Sequence, residues 1–274
     1  IVSDISAALR YTRKFILLDN SETAVVTPDG IKCYDASGAP IEKEPYTVDW
    51  DVDRAEKGGY PHFMIKEIHE QPRALTDTLR PRITDGGIDL DGINFDKNYV
   101  DGLTGIDIVG CGSAYHAGIV GKYFIEKHCR IPVVNILASE YIYSDPITDG
   151  KRLTVIISQS GETADTLAAL RLAKKLGSKT LAIVNVVHSA IARDADSVLY
   201  THAGPEIAVA TTKGYTTQVA ALYLLGLKLA AIKGTITQKR FADLVGKLEA
   251  LPNKVTEQLT EPEVEKVKAL AARY

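Results

Sequence analysis

The chain has 274 residues, of which 45% are hydrophobic and 24% charged, a composition that is ordinary for a soluble globular protein. A net charge of −3 gives no electrostatic basis for binding nucleic acid or an anionic membrane. The three cysteines, Cys33, Cys111 and Cys129, have no zinc-ligand spacing and suit a reducing, cytoplasmic environment. The only methionine is Met64 and the chain starts at Ile1, so we expect a segment of a longer protein.

Residues 1–55 predict a small antiparallel β meander. Stretches 14–18, 23–26 and 31–34 are rich in apolar and β-branched residues, and Pro-Asp-Gly at 28–30 and Ala-Ser-Gly at 36–38 are turn signals. Four short strands without a helix bury little core by themselves. We therefore expect this part to be the end of a larger domain.

Residues 56–94 predict a helical linker. The stretch 61–80 has helical periodicity, but Pro72 interrupts it. Because proline breaks a helix interior and is favoured at the start of a new helix, the pattern predicts two short helices. The glycines of Asp-Gly-Gly at 85–87 and Asp-Gly at 91–92 predict a loop.

From Gly105 onward, short apolar runs alternate with helical segments. The runs are 106–109, 133–137, 153–157, 181–184 and 198–200, and the helical segments are 115–129, 163–176 and 212–232. This alternation predicts an α/β domain over 95–235, a three-layer sandwich around a parallel five-stranded sheet. The apolar stretch 219–232 is too short to span a bilayer and predicts a buried helix. Amphipathic helices are expected within 236–274, as a connector to a further domain.

A polar segment, Ser-Gln-Ser-Gly-Glu-Thr at 158–163, follows the third strand of this sheet and precedes a helix. Backbone N–H groups at a helix start point towards a ligand, and the helix dipole favours negative charge. Hydroxyl groups add neutral donors that can turn towards phosphate oxygens. No lysine lies in the segment, so it is not a nucleotide-binding P-loop. The segment predicts a site for the phosphate of a small molecule.

A second segment, Gly-Cys-Gly-Ser-Ala-Tyr-His-Ala-Gly at 110–118, follows the first strand of the sheet. The dinucleotide fingerprint requires glycine where Tyr115 stands, and no acidic residue follows at a strand end about 20 residues later. A simple glycine turn explains this segment on its own. The nearby phosphate segment favours a second ligand loop, because both follow parallel strands.

Two residues of the second segment have chemistry that could be catalytic. Cys111 is compatible with a nucleophile, but a small buried thiol is the commoner case. His116 is compatible with a general base, but a structural histidine is the preferred interpretation. The other histidines show no metal-ligand spacing with acids or cysteines: His62, His69, His128, His188 and His202.

The third segment, 206–218, follows the last strand and opens the apolar helix. Its small residues would let a ligand approach the backbone, whose N–H and C=O groups can bind sugar hydroxyls. A threonine-rich helix cap explains the pattern equally well, with Lys213 forming an ion pair with Glu206. The residues alone leave both interpretations open.

Together these segments resemble the sugar isomerase (SIS) domain family, and most closely the first SIS domain of the glutamine–fructose-6-phosphate aminotransferases, or glucosamine-6-phosphate synthases. The resemblance lies in 110–115, 158–166 and 209–213. Segments 58–64 and 66–72 are similar to the linker between the glutaminase and isomerase parts of those enzymes, and 11–13 and 48–50 resemble the end of the glutaminase domain. The resemblance covers nearly the whole chain and implies a flavodoxin-like α/β fold preceded by a β remnant of the glutaminase domain.

The resemblance also implies a binding site. It assigns the phosphate of fructose 6-phosphate to Ser158, Gln159, Ser160 and Thr163, and the sugar end to Ser113, Val209 and Thr211. Ala114 departs from the family, in which many members carry a serine that contacts the ligand. No metal or cofactor is implied, and the expected ligands are fructose 6-phosphate and glucosamine 6-phosphate.

The catalytic groups of the family are not expected within this chain. The glutaminase nucleophile is an N-terminal cysteine, whereas position 1 is Ile1. The acid–base residues and the Schiff-base lysine belong to a second SIS domain. We therefore expect a sugar-phosphate-binding fragment that is inactive alone. A homodimer is a separate expectation, since a fragment without its neighbouring domains exposes apolar surface.

Two other functions compete with this interpretation. One is a non-catalytic SIS sensor or regulator of sugar phosphates, but residues 1–50 favour the enzyme fragment and no basic helix-turn-helix pattern is visible. The other is a nucleotide-binding α/β domain, which Tyr115 and the missing P-loop lysine disfavour.

Overall fold

The computed structural model describes residues 1–2, 8, 11–48, 57–85, 87–148 and 150–274. Its chain divides into two compact units, Ile1–Tyr60 and Pro61–Tyr274. Several positions used above lie outside the described residues: Asp49 and Trp50 of the glutaminase-like segment, Gly86 of the loop at 85–87, and the expected domain boundary at 55–56.

The first unit is built from short antiparallel strands, as the sequence predicts. Strands β2 (Thr23–Thr27), β3 (Gly30–Tyr34) and β4 (Pro40–Ile41) form one sheet in that order. Strands β1 (Lys14–Phe15) and β5 (Tyr46–Thr47) pair separately. The described part of the unit thus contains five strands rather than four, because the stretch after the second turn forms two very short ones.

The second unit opens with one long helix, α1 (Phe63–Leu79), so the prediction of two short helices is wrong. Pro72 lies inside α1 and cannot donate a hydrogen bond to the Ile68 carbonyl. The side-chain amide of Gln71 donates to that carbonyl instead, at 3.1 Å. This bond satisfies the orphaned acceptor, and Leu75 and Leu79, which follow the proline in α1, are buried in the main core and help to hold the helix together.

After α1, the chain forms a 3₁₀ turn (Arg80–Arg82), a small hairpin of β6 (Ile83–Thr84) and β7 (Gly87–Ile88), and helix α2 (Lys97–Gly102). These elements lead into the main sheet.

The main sheet confirms the predicted α/β architecture. Its strands are β8 (Gly105–Gly110), β9 (Val133–Leu137), β10 (Arg152–Ser158), β11 (Lys179–Val184) and β12 (Ser197–Tyr200). All are parallel, in the order β12-β11-β10-β8-β9. The chain leaves β8 in one direction towards β9 and then returns to β10 on the other side. The sheet therefore has its topological switch point between β8 and β10, where ligands of open α/β sheets bind.

Helices cover both faces of the sheet, in three layers. Helices α3 (Gly112–Cys129) and α7 (Lys213–Lys233) share one core cluster with the sheet, and α4 (Ala138–Tyr143), α5 (Ala164–Lys175) and α6 (Ala190–Asp194) share the other. Strand β10 shows the alternation: Val155 and Ile157 enter the first cluster and Ile156 the second. Helices α4 and α6 were not predicted, because five or six residues are too few to show a helical period.

Helix α7 is the one described helix that is long and apolar enough to cross a membrane by length and composition. In this fold it is largely buried and packs against α1 and α3, as expected for the core helix that the sequence predicts. The chain ends in α8 (Gln238–Glu249), α9 (Leu251–Gln258) and α10 (Glu261–Ala271), so the predicted C-terminal helices are present, with α9 in addition.

Candidate sugar-phosphate site

A pocket of about 280 Å³ lies at the switch point, where β8 and β10 end. It contains all seven residues that the sequence resemblance assigns to substrate binding. Its lining consists of Cys111, Ser113, Ala114, Ile157, Ser158, Gln159, Ser160, Thr163, Val209, Ala210, Thr211 and Gln218. The three predicted segments are distant in sequence, and the fold brings them together at this one edge of the sheet.

The 158–163 segment forms a tight loop between β10 and α5. Ser158 is buried, and its Oγ lies 3.0 Å from Thr163 Oγ1 and accepts the N–H of Gly161 at 3.0 Å. Gly161 has a φ of 68°, in the left-handed region that favours glycine. The loop therefore closes on itself around the Ser158 hydroxyl, with the side chains of Gln159 and Ser160 half-buried beside it.

Contacts from the α6 region hold this loop from the outside. The Gly161 carbonyl accepts the N–H of Ile191 at 3.0 Å, and Glu162 Oε1 accepts the N–H of Ala190 at 2.7 Å. Thr163 is the N-cap residue of α5, yet its side chain makes no capping bond. The first N–H groups of a helix have no intrahelical acceptors, so this end of α5 is suited to an anion.

The 110–114 segment forms the opposite wall. Cys111 is the N-cap residue of α3, and Gly112 has a φ of 53°. A side chain at Gly110 would approach the Ile157 carbonyl to 3.1 Å and Ala114 to 3.3 Å, so glycine at this position lets the start of α3 pack tightly against the ends of β8 and β10. Ser113 is exposed at the rim of the pocket.

The cysteines and His116 show no catalytic arrangement. The half-buried Cys111 Sγ accepts a hydrogen bond from Thr166 Oγ1 at 3.6 Å. Cys129 is fully buried, and desolvation raises the pKa of its thiol to about 12, which keeps it protonated at neutral pH. His116 is exposed beside the Tyr115 ring and does not line the pocket.

The 205–214 segment forms the third wall. Its contacts show that the expected ion pair between Lys213 and Glu206 is wrong. Glu206 does not pair with Lys213. Its Oε1 accepts the N–H groups of Thr212 and Gly214 at 2.9 and 3.0 Å, and its Oε2 accepts from the Thr211 hydroxyl at 2.8 Å. Glu206 thus caps the start of α7 and holds Thr211 against the pocket, since a carboxylate is favoured at a helix N-terminus.

Lys213 turns away from the pocket and is 2% exposed. Its Nζ donates to Glu70 Oε2 at 2.7 Å and to the Pro205 carbonyl at 2.6 Å. The partner of Lys213 therefore comes from α1, 143 residues earlier in the chain.

One face of α1 supports this third wall, and this support was not predicted from the sequence. Besides Glu70, Glu67 Oε1 accepts the N–H groups of Ile207 and Ala208 at 2.7 and 3.2 Å, and Gln71 Oε1 accepts from Thr216 Oγ1 at 2.6 Å. Positions 67, 70 and 71 lie on the same helix face. The sequence did contain a signal for this support: two acids and an amide on one face of the helix that precedes the sheet indicate buried polar partners elsewhere in the chain.

The lining is polar, and none of the described residues that form it carries a charged side chain. An anion in the pocket would be bound by hydroxyl, amide and backbone N–H donors together with the helix dipole, rather than by an ion pair. Within the residues that the structure describes, no group of three or more His, Cys, Asp or Glu side chains could hold a metal ion.

Comparison with known proteins identifies the class. Residues 104–228 match the SIS domain family, so the chain contains an SIS domain built around the described pocket. The chain is 54% identical over 265 residues to the glutamine–fructose-6-phosphate aminotransferase (isomerizing) of Caldanaerobacter subterraneus subsp. tengcongensis, covering 96% of this chain and 44% of that protein. It is 51% identical to the enzyme of the same name from Clostridium tetani, covering 100% and 45% of the two chains.

A solved structure agrees. The C-terminal domain of glucosamine-fructose-6-phosphate aminotransferase from Francisella tularensis superposes with a TM-score of 0.68 at 41% identity, over 72% of this chain and 55% of that one. The resemblance predicted from the sequence is thus confirmed: over nearly its whole length the chain is homologous to glutamine–fructose-6-phosphate aminotransferases. It spans less than half the length of the two curated relatives.

Proposed function

We propose that this chain is the sugar-phosphate-binding part of a glutamine–fructose-6-phosphate aminotransferase. Such an enzyme converts fructose 6-phosphate and glutamine into glucosamine 6-phosphate and glutamate, a step of amino-sugar biosynthesis. The observation that carries the proposal is that one pocket at the switch point gathers Ser113, Val209 and Thr211 with all four residues of the phosphate assignment. The names and the 51–54% identity of the relatives support it.

The chemistry of the pocket fits a hexose phosphate. The hydroxyls of Ser158, Ser160 and Thr163 and the start of α5 can donate hydrogen bonds to phosphate oxygens. The sugar would then extend towards Ser113 and the 209–211 segment, whose backbone and hydroxyl groups suit sugar hydroxyls. This mode of binding requires neither a metal nor a nucleotide cofactor.

In the whole enzyme the role of this part would be positioning. Anchoring the phosphate fixes the reacting carbons of the sugar relative to catalytic groups, which converts binding energy into rate. We assign those catalytic groups to a glutaminase domain and a second SIS domain outside this chain. Residues 1–55 would then be the end of the glutaminase domain, 56–94 a linker, 95–235 the SIS domain and 236–274 a connector, in a cytoplasmic protein with free cysteines.

Removing one phosphate donor should weaken binding measurably. Ser160→Ala and Thr163→Ala each delete a hydroxyl that faces a charged group, which costs roughly 1.5–3 kcal/mol, or about 10- to 150-fold in Kd. Calorimetric titration with fructose 6-phosphate and glucosamine 6-phosphate measures this loss. Thr256→Ala, which removes an exposed hydroxyl on α9, is the matched control and should bind normally.

ATP and NAD serve as ligand controls in the same titration. Saturable binding of the sugar phosphates alone is the expected result. Unchanged affinity in both pocket variants, or binding of a nucleotide instead, would contradict the proposed function.

We also propose that the chain forms a homodimer. The second unit leaves large apolar side chains in solvent, among them Tyr143, which is 87% exposed, and Ile147, which is 95% exposed. Sedimentation equilibrium should then report twice the 29.7 kDa mass of one chain. A single 29.7 kDa species across all concentrations would refute self-association.

A further inference from the structure

Gln218 is the one described pocket residue that has a solvent-shielded side-chain polar atom without a hydrogen-bond partner. The side chain lies one turn after Gly214 on α7, is 3% exposed and lines the pocket. Its Oε1 is shielded from solvent and accepts no hydrogen bond from any described residue. Six other described side chains have such an atom, but none of them lines the pocket: Tyr99, Asn135, Tyr141, Thr154, Ser189 and Thr212.

The neighbouring buried residue shows that α7 can satisfy a polar side chain at this depth. Thr217 is fully buried, and its hydroxyl donates to the carbonyls of Lys213 and Gly214. Gln218 has no comparable bond, although the residues that follow on the helix, Ala220 to Leu222, are buried and apolar. A buried unpaired amide oxygen costs folding free energy, which a methionine of similar length would avoid.

The position of Gln218 relates it to the sugar end of the pocket. It lies one helical turn beyond Gly214, and a side chain placed at Gly214 would meet Gln159, Thr211 and Glu206. This face of α7 therefore lies beside the 206–211 wall and also beside Gln159 of the 158–163 loop. The 206–211 wall carries Val209 and Thr211, which are assigned to the sugar end of the ligand.

We infer that Gln218 is a ligand-contacting residue that recognises a hydroxyl of the bound sugar, an inference that rests on the proposed function. An amide carries both a donor and an acceptor, and a hydroxyl group can pair with either one. Because the amide is neutral, it would distinguish ligands by whether they offer a hydroxyl group for a hydrogen bond, and not by their charge. Gln218 would thus help the pocket select a polyhydroxylated phosphate ester over bare phosphate.

The test is Gln218→Met, titrated with fructose 6-phosphate and, in competition, with inorganic phosphate. We expect affinity for fructose 6-phosphate to fall roughly tenfold, which is typical of the loss of one neutral hydrogen bond. Affinity for inorganic phosphate should stay unchanged, and the melting temperature of the ligand-free variant should stay equal or rise. Gln258→Met, at an exposed position on α9, is the matched control.

Each other outcome overturns the inference. Wild-type affinity of Gln218→Met for fructose 6-phosphate means that the amide makes no ligand contact, and leaves the proposed function intact. Equal loss for both ligands with a lower melting temperature means a structural role only. If the wild-type chain does not bind fructose 6-phosphate, the proposed function fails, and this inference fails with it. That case is distinguishable from failure of the inference alone, in which the wild-type chain binds and Ser160→Ala binds more weakly.

Discussion

Gly161→Ala should reduce the affinity for fructose 6-phosphate by roughly two orders of magnitude or more, equivalent to about 3 kcal/mol. The residue holds a φ of 68°, and an added Cβ would lie 2.0 Å from Ser189 Oγ and 2.5 Å from Ser189 Cβ. Because Gly161 also bonds Ser158 and Ile191, any shift that relieves this clash displaces the whole 158–163 loop. Calorimetric titration of the variant measures the loss.

Gly177→Ala separates backbone strain from the clash. Gly177 ends the α5 region with a φ of 86°, and an added Cβ there meets nothing within 4 Å. The left-handed conformation costs an alanine about 1–2 kcal/mol of stability, yet ligand affinity should be unchanged. Adding Ser189→Gly to Gly161→Ala should restore part of the affinity, since it removes both clashing atoms. Normal binding by Gly161→Ala alone would show that the loop geometry does not matter.

Glu70→Ala should lower the free energy of unfolding by about 3 kcal/mol, the lower end of the range for breaking a buried ion pair. The Lys213 side chain is 2% exposed, and without Glu70 the Pro205 carbonyl would be the one partner left to its ammonium group among the described residues. The variant also removes the ion pair of Glu70 with Lys66, which is 8% exposed and lies 3.5 Å from Glu70 Oε1. Glu70 itself is 27% exposed, so water can compensate part of the loss. Urea unfolding followed by circular dichroism measures the change.

Two comparisons define what this variant shows. Arg73→Ala breaks the exposed pair of Arg73 and Asp77 on the same helix, where the N–O distance is 3.8 Å, and should change stability by less than about 1 kcal/mol. Combining Glu70→Met with Lys213→Met should recover part of the stability relative to Glu70→Ala, because no unpaired charge remains at position 213, while Lys66 still loses its ion pair with Glu70. A Glu70→Ala variant as stable as the Arg73→Ala control would mean that Lys213 is not held by this pair.

The main architecture could be predicted from the sequence because its signals are local. Each predicted parallel strand is a short apolar run, and β9, predicted at 133–137, begins and ends at those residues. The 158–163 segment could be recognised because an apolar run, a group of hydroxyl and amide residues with one glycine, and a helical pattern follow one another along the chain. The alternation of strands and helices then requires the first and third of these strands to end at the same edge of the sheet.

The tertiary structure alone decided which partners these residues take. Pro72 remains inside α1, where Gln71 satisfies the Ile68 carbonyl and Leu75 and Leu79 are packed in the core, contacts that no proline rule anticipates. Lys213 pairs with Glu70, 143 residues away, rather than with nearby Glu206, because the start of α7 already uses that carboxylate. Whether the Gln218 amide has a partner depends likewise on packing around the pocket. Local patterns determine where the strands, the helices and the 158–163 loop form, whereas pairing between distant buried polar groups depends on how those elements pack together.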